Sequence, residues 1–221
     1  MKLHLTAFVL FALLAGTGLQ AQSGFSLASD FGVIRNFKSG QQYWAAGQAV
    51  LAQIHVNEKD GIYGMFAYYS HGKLKDNYRA PARLPLTVPA EIGFTNSGKL
   101  QTKNISVGYK RWLTGSAVAE KGWNSFATIG TGVILGRIEN SFSAFIDTAF
   151  YTPPVKAGKG NFKRITLDLS LGIEKPVGAD IYLYSECRAF IPVSDYPSPY
   201  LPAGKYAPLT ATLCLGVRIL F

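Results

Sequence analysis

Ser70-His71-Gly72, with Asp76 a few residues on, is where this sequence sets a hydroxyl beside a base. Acyl transfer by a serine needs the base oriented by a third group and the hydroxyl held within its reach. Adjacent side chains of a strand point to opposite faces, so the dipeptide predicts no catalytic pair, and His71 reads better as a residue of a membrane-boundary girdle. His55 is the only other histidine after residue 21. Cys187 and Cys214 form neither a CxxC redox pair nor part of a zinc framework. The run Gly130-Thr131-Gly132-Val133-Ile134-Leu135-Gly136 matches neither a Walker loop nor a dinucleotide fingerprint. These residues predict no enzyme, no cofactor and no metal site. What remains is ionic: Asp30, Lys110, Arg164, Asp168, Glu174, Glu186, Arg188 and Arg218, four acids and four bases set in apolar or small surroundings. They can neutralise one another only if the chain brings them to one enclosed face.

The elements that would do so follow an export signal. Met1-Lys2-Leu3-His4 carries one fixed positive charge and runs into an apolar stretch over 5–14 that ends in small residues through Ala21. That is the layout of a secretory signal, shorter than the roughly 20 apolar residues of a spanning helix. Cleavage near Ala21 is expected to remove 1–21 and leave 22–221 as one domain. No cysteine follows the apolar stretch, which disfavours a lipoprotein. Losing Lys2 lowers the formal charge of +9 by one. Charged residues are 16% of the chain, against about 25% in soluble domains, and this leans away from a soluble enzyme. For an exported chain the basic balance points to lipopolysaccharide phosphates and acidic glycans rather than to nucleic acid.

After residue 21 no stretch is apolar enough for a spanning helix, and the dominant period is two. Leu209, Ala211, Leu213, Leu215, Val217, Ile219 and Phe221 alternate with Thr210, Thr212, Cys214, Gly216, Arg218 and Leu220. Over 162–174, Ile165, Leu167, Leu169, Leu171 and Ile173 alternate with Arg164, Thr166, Asp168, Ser170, Gly172 and Glu174. Weaker versions at 24–36, 43–56, 61–71, 100–112, 122–138 and 180–191 bring the expected count to eight strands. Their connections alternate between short turns at 57–60, 113–121 and 175–179 and long loops at 72–99, 139–160 and 192–206, with a short outer connection near 37–42. Short periplasmic turns and long extracellular loops are the pattern of an outer-membrane barrel. A lipocalin-like soluble barrel would show the same alternation with the aliphatic face inward. Against it stand the scarcity of charge outside the connections and the aromatics near strand ends. Those are Tyr43, Trp44, Tyr63, Tyr68, Tyr69, Tyr109, Trp112, Trp123, Tyr182, Phe190 and Tyr206, expected as interfacial girdles.

The export signal, the eight amphipathic strands and the ending Leu213-Cys214-Leu215-Gly216-Val217-Arg218-Ile219-Leu220-Phe221 resemble the small outer-membrane β-barrel families of the OmpA, OmpX and OmpW type. The resemblance covers 24–221 as architecture. It implies an all-β, eight-stranded, up-and-down antiparallel transmembrane barrel, with Phe221 resembling the terminal signal read by the barrel-insertion machinery. The eight charges named above then face the lumen as a structural salt-bridge plug, because an eight-stranded interior is just wide enough to be filled by side chains. Glycines at 32, 108, 130, 132, 136, 172 and 216 give room to long Arg, Lys and Tyr side chains opposite. Cys187 shares parity with lipid-facing residues and Cys214 with luminal ones, so free thiols are expected.

The loops carry Lys73, Lys75, Arg79, Arg83 and Lys99, then Phe142, Phe145, Phe150 and Tyr151, then Tyr196, Tyr200 and Tyr206. The expected function is non-enzymatic: envelope support, or surface recognition of lipopolysaccharide, a glycan or a protein partner, in contact with outer-membrane lipids. A narrow channel for ions or small apolar solutes is the alternative. A lipid A-modifying hydrolase or acyltransferase is the third reading.

Overall fold

The computed structural model describes residues 24–37, 42–178, 180–193, 199–201 and 209–221. The signal expected over 1–21, its cleavage near Ala21, and Tyr196 and Tyr206 lie outside the described residues. Period-two alternation gives eight strands: β1 (Phe25–Asn36), β2 (Trp44–His55), β3 (Asp60–Pro81), β4 (Glu91–Thr114), β5 (Asn124–Phe142), β6 (Gly158–Pro176), β7 (Ile181–Pro192) and β8 (Thr210–Leu220). Each pairs antiparallel with its neighbour in sequence, and β8 returns to β1 from Ser26↔Leu220 to Asn36↔Thr210, closing the ring. Phe221 extends this seam by donating its backbone N–H to the Phe25 carbonyl at 2.8 Å. Closure leaves no edge strand with unpaired backbone groups, a condition that hydrocarbon imposes.

The apolar faces look outward and the polar faces inward, the inverse of a water-soluble barrel. On β6, Ile165, Leu169, Leu171 and Ile173 are exposed while Thr166, Asp168, Ser170 and Glu174 are buried. The same division holds for Leu213, Leu215, Val217 and Ile219 against Thr212, Cys214 and Arg218 on β8. A surface so apolar is stable only against lipid, which excludes the lipocalin-like alternative. From Ile165 to Ile173 the belt runs about 26 Å along the strand at roughly 3.3 Å per residue. Tilted by roughly 35–45°, as in such barrels, that stretch covers about 20 Å of membrane height, most of an apolar band of about 25 Å. Lys163 and Lys175 bracket it.

Two expectations are corrected. Most of the loop expected at 72–99 is strand, because β3 and β4 stay paired out to Pro81↔Glu91. A bulge between Tyr69 and Gly72, with His71 at φ 62°, shifts the parity there. Odd residues point inward up to Tyr69, and Gly72, Leu74 and Ala80 do so beyond it. The extra residue broke the period-two signal while the hydrogen-bonded ladder continued. Likewise β5 and β6 reach Phe142 and Gly158, shortening the expected 139–160 loop. The second correction concerns the aromatics. Trp44, Tyr68, Tyr109 and Trp123 face outward, but Tyr43, Tyr63, Tyr69, Trp112, Tyr182 and Phe190 are buried in the lumen.

These luminal rings explain two glycines. Gly136 lies opposite Phe162, and a Cβ there would come within 2.0 Å of the ring. Gly172 lies opposite Phe126 at 2.3 Å by the same measure. Each ring folds flat over a strand that has no side chain to obstruct it, so these glycines make room for phenylalanine as well as for the long polar side chains expected.

Candidate functional site

The lumen is built in layers. At the end bearing the short turns, Glu174 is fully buried and accepts hydrogen bonds from Trp112 Nε1 at 2.8 Å and from Arg218 Nη2 at 2.8 Å and Nε at 3.2 Å. Asn124 donates to it at 3.3 Å, and Lys110 Nζ stands 3.6 Å away. The cations also rest on rings: Arg218 lies 3.8 Å from the Tyr182 centroid, and Lys110 3.7 Å from that of Phe126. The turn after β4 folds inward, where the Ala117 carbonyl accepts from Arg218 at 2.9 Å and the Ser116 carbonyl from Asn124 at 3.1 Å. His55 closes the layer beside Trp112, with Nε2 3.0 Å from Ser26 Oγ. The turn supplies a floor to the barrel.

Above it, Arg188 Nη2 donates to Asp30 at 2.6 Å and to Glu186 at 2.7 Å, while the Tyr184 hydroxyl donates to Asp30 at 2.8 Å. The Cys214 thiol donates to the Glu186 carbonyl at 3.3 Å. Cys214 is buried and Cys187 exposed, and both are free. A buried guanidinium between two carboxylates satisfies charges that would otherwise be costly to enclose.

The structure thus brings six of the eight expected charges into two clusters, and separates the other two. Asp168 is buried, yet neither carboxylate oxygen has a hydrogen-bond partner among the described residues; Ser106 and Asn104 lie beside it. Arg164 stands higher, its guanidinium 5.4 Å from the Phe162 ring, in the wall of a 40 Å³ cavity lined mainly by Tyr43, Leu74, Leu100, Phe162 and Phe190. A further cavity of 20 Å³ lies beside Asp168 and Arg188. A water needs about 10–15 Å³ by this measure, so each void holds very few. Tyr200 and Leu201 of the last loop fold back over the top, where the Tyr200 carbonyl accepts from Asn140 at 2.7 Å. Parity alone missed this roof, since a loop carries no period.

The Ser-His pair is closer than strand geometry suggested. The bulge turns both side chains together, with Ser70 Oγ 2.8 Å from His71 Nδ1 on the exposed face. Among the described residues no carboxylate bonds to that ring, so the orienting third group of a triad is missing from the arrangement. No three of His, Cys, Asp or Glu converge among the described residues as a metal site requires.

Outside the membrane belt, the β3–β4 hairpin and the 143–157 segment form a raised platform. Arg83 N–H donates to the Phe150 carbonyl at 2.8 Å, Thr152 N–H to the Pro81 carbonyl at 3.0 Å, and the Tyr151 hydroxyl to the Pro89 carbonyl at 3.1 Å. Ala80, Phe94, Ile146 and Tyr151 form a small core beneath it, separate from the lumen core. On top, Leu86, Val88 and Phe145 are 94%, 90% and 89% exposed.

A closed ring of eight antiparallel strands, apolar outside and plugged by ion pairs inside, is a membrane-spanning barrel of the bacterial outer-membrane type. Among solved structures the chain is similar to Neisserial surface protein A, with a TM-score of 0.54 and 11% identity over 89% of this chain and 97% of that one. It is also similar to Ail, the attachment invasion locus protein of Yersinia pestis, with a TM-score of 0.51 and 12% identity over 91% of this chain and 100% of that one. A further Ail structure, TM-score 0.50, is a complex with the heparin analogue sucrose octasulfate. At these identities the likeness is one of fold. No protein-family model and no curated protein matches the chain by sequence.

Proposed function

We propose that this barrel is a non-enzymatic surface-recognition protein of the bacterial outer membrane, which presents the β3–β4 platform to a protein partner outside the cell. The observation that carries this reading is the apolar crown of Leu84, Leu86, Val88 and Phe145 on a braced hairpin. Large apolar side chains exposed clear of the bilayer on a rigid scaffold are the usual mark of a contact site. Lys75 and Arg83 flank it and favour a partner with an acidic border, while Arg79 is held by Glu91 at 2.7 Å. The described lumen, filled by side chains, favours recognition over transport. Phe221 serves the insertion machinery, and lipids and lipopolysaccharide surround the belt.

The first test is orientation. Thiols introduced at Lys75 and Ser143 are expected to react with a membrane-impermeant maleimide on intact cells, and thiols at Glu58 and Glu120 only after lysis. The second is adhesion. Replacing residues 83–89 by a short polar turn is expected to abolish the adhesion of displaying cells to immobilised matrix proteins while heat-modifiable gel mobility of the barrel is unchanged. Reversed labelling would overturn the orientation, and undiminished adhesion would overturn the platform's role.

A further inference from the structure

We propose that the outer wall of β4–β6, at the extracellular edge of the apolar belt, is a binding site for the phosphorylated sugar headgroup of an outer-leaflet glycolipid of the lipid A type. This rests on the orientation given above but uses a different surface from the platform. The strand register lays the wall out in outward-facing rows. The highest is Lys73, Lys99, Glu139 and Lys159, followed by Gln101, Arg137 and Asn161, then by Tyr68, Lys103, Leu135 and Lys163. The next row down is wholly apolar: Phe66, Ile105, Val133 and Ile165. Polarity therefore changes within one step of the sheet, at the end of the apolar belt that Lys163 bounds on β6.

Six cations and one acid occupy the three upper rows, and the acid is already engaged, with Glu139 3.5 Å from Lys159. Lys73 stands directly opposite Lys99, and Lys103 and Lys163 flank Leu135 two strands apart, about 10 Å by ordinary strand spacing. Lys103, Arg137 and Lys163 make no ion pair among the described residues. Like charges on facing strands repel, so an array of this kind is stabilised by anions brought from outside.

Among the described residues the charge is also concentrated in this sector. Around the rest of the ring the outward positions at the extracellular ends include Ala189, Ile191, Ala211, Val33 and Ala46, and the single outward cation there, Arg35, already rests on the Trp44 and Phe37 rings, 4.8 and 5.3 Å from their centroids. The basic sector holds a hollow of 680 Å³ on the outer wall, lined by Tyr68, Lys103, Arg137, Asn161 and Lys163 with Phe66 at its lower edge. Cations reach the phosphates, the two amides and Tyr68 suit sugar hydroxyls, and the apolar row receives the acyl chains. A free sugar phosphate would use only the upper part of this surface; the amphipathic layout selects a lipid.

Native mass spectrometry of the detergent-folded barrel tests the site, with bisphosphorylated lipid A, lipid A stripped of its phosphates, and phosphatidylglycerol as probes. Wild type is expected to retain lipid A at least tenfold more tightly than either other lipid. Lys103→Gln/Arg137→Gln/Lys163→Gln is expected to lose that preference, and the platform variant Lys75→Gln/Arg83→Gln to keep it. Equal retention by the triple variant, equal binding of the dephosphorylated lipid, or equal binding of phosphatidylglycerol by wild type would each overturn the proposal. Heat-modifiable mobility verifies folding, and Arg137→Glu alone gives the same reading if the triple variant does not fold. Failure of the orientation itself registers separately, in the maleimide labelling.

Discussion

Glu174→Ala is expected to destabilise the folded barrel by about 3–5 kcal/mol, the range for removing one partner of a buried ion pair. Glu174 is the sole carboxylate in its layer among the described residues, fully buried, and it is shared by Arg218, Lys110, Trp112 and Asn124. Its loss leaves two cations enclosed with only ring faces and carbonyls for company. Arg218→Met alone should cost less, because Lys110 still neutralises the carboxylate. Combining the two changes removes the unpaired guanidinium, so the double variant is expected to be more stable than Glu174→Ala, a coupling that a double-mutant cycle reads directly. Urea titrations in lipid vesicles would measure all three. A cost below about 1 kcal/mol for Glu174→Ala, the level of an exposed pair, would mean that water reaches the floor and the layer is no plug. Conductance in planar bilayers gives an independent readout, since a floor that loses its tie to Ala117 through Arg218 should leak where wild type does not.

The ring of eight strands was legible in the sequence because lipid and lumen impose opposite demands on alternate residues, and the alternation survives even where single positions are ambiguous. The same parity set Asp30, Glu186 and Arg188 on one face, but it said nothing of height along the barrel. Height decides that Arg188 meets Asp30 at 2.6 Å while Asp168 joins neither cluster. Strand tilt and shear fix that offset, and they follow from closure of the whole ring. Parity applied strictly would also have put Tyr63, Tyr69, Trp112 and Tyr182 inside. Their assignment to interfacial girdles followed from composition near strand ends, where the rule of faces should have prevailed. The platform was hidden for a different reason. At Ser70-His71 one additional residue reverses the period, and a reading based on period ends the strand there although its backbone pairing goes on. The basic sector was illegible as a unit, since Lys103, Arg137 and Lys163 come from three strands and converge only through the register.

Leu169→Arg should cost about 2–4 kcal/mol, the penalty for a guanidinium on the lipid face near the bilayer midplane. Leu169 lies at the centre of β6's outward series, between Ile165 and Ile173, with no polar side chain on its own strand's outer face until Lys163 and Lys175. An arginine there must either pull its charge out of hydrocarbon or thin the bilayer around it. Ser170→Arg, one residue on, meets a different obstacle. Ser170 is buried, its hydroxyl 2.6 Å from that of Thr128, and it shares its cavity wall with Arg188, Glu186 and Lys110. A third cation in that layer has neither volume nor a free carboxylate nearer than Asp168, so its penalty is set by packing and charge within the protein and should be insensitive to lipid chain length. The penalty at 169 should instead fall as the bilayer is thinned, because the charge then reaches an interface sooner. Folding titrations in vesicles of short- and long-chain lipids separate the two. Equal dependence on chain length at both positions would mean that the faces of β6 are not divided between lipid and lumen, and the charge layers inferred from that division would lose their basis.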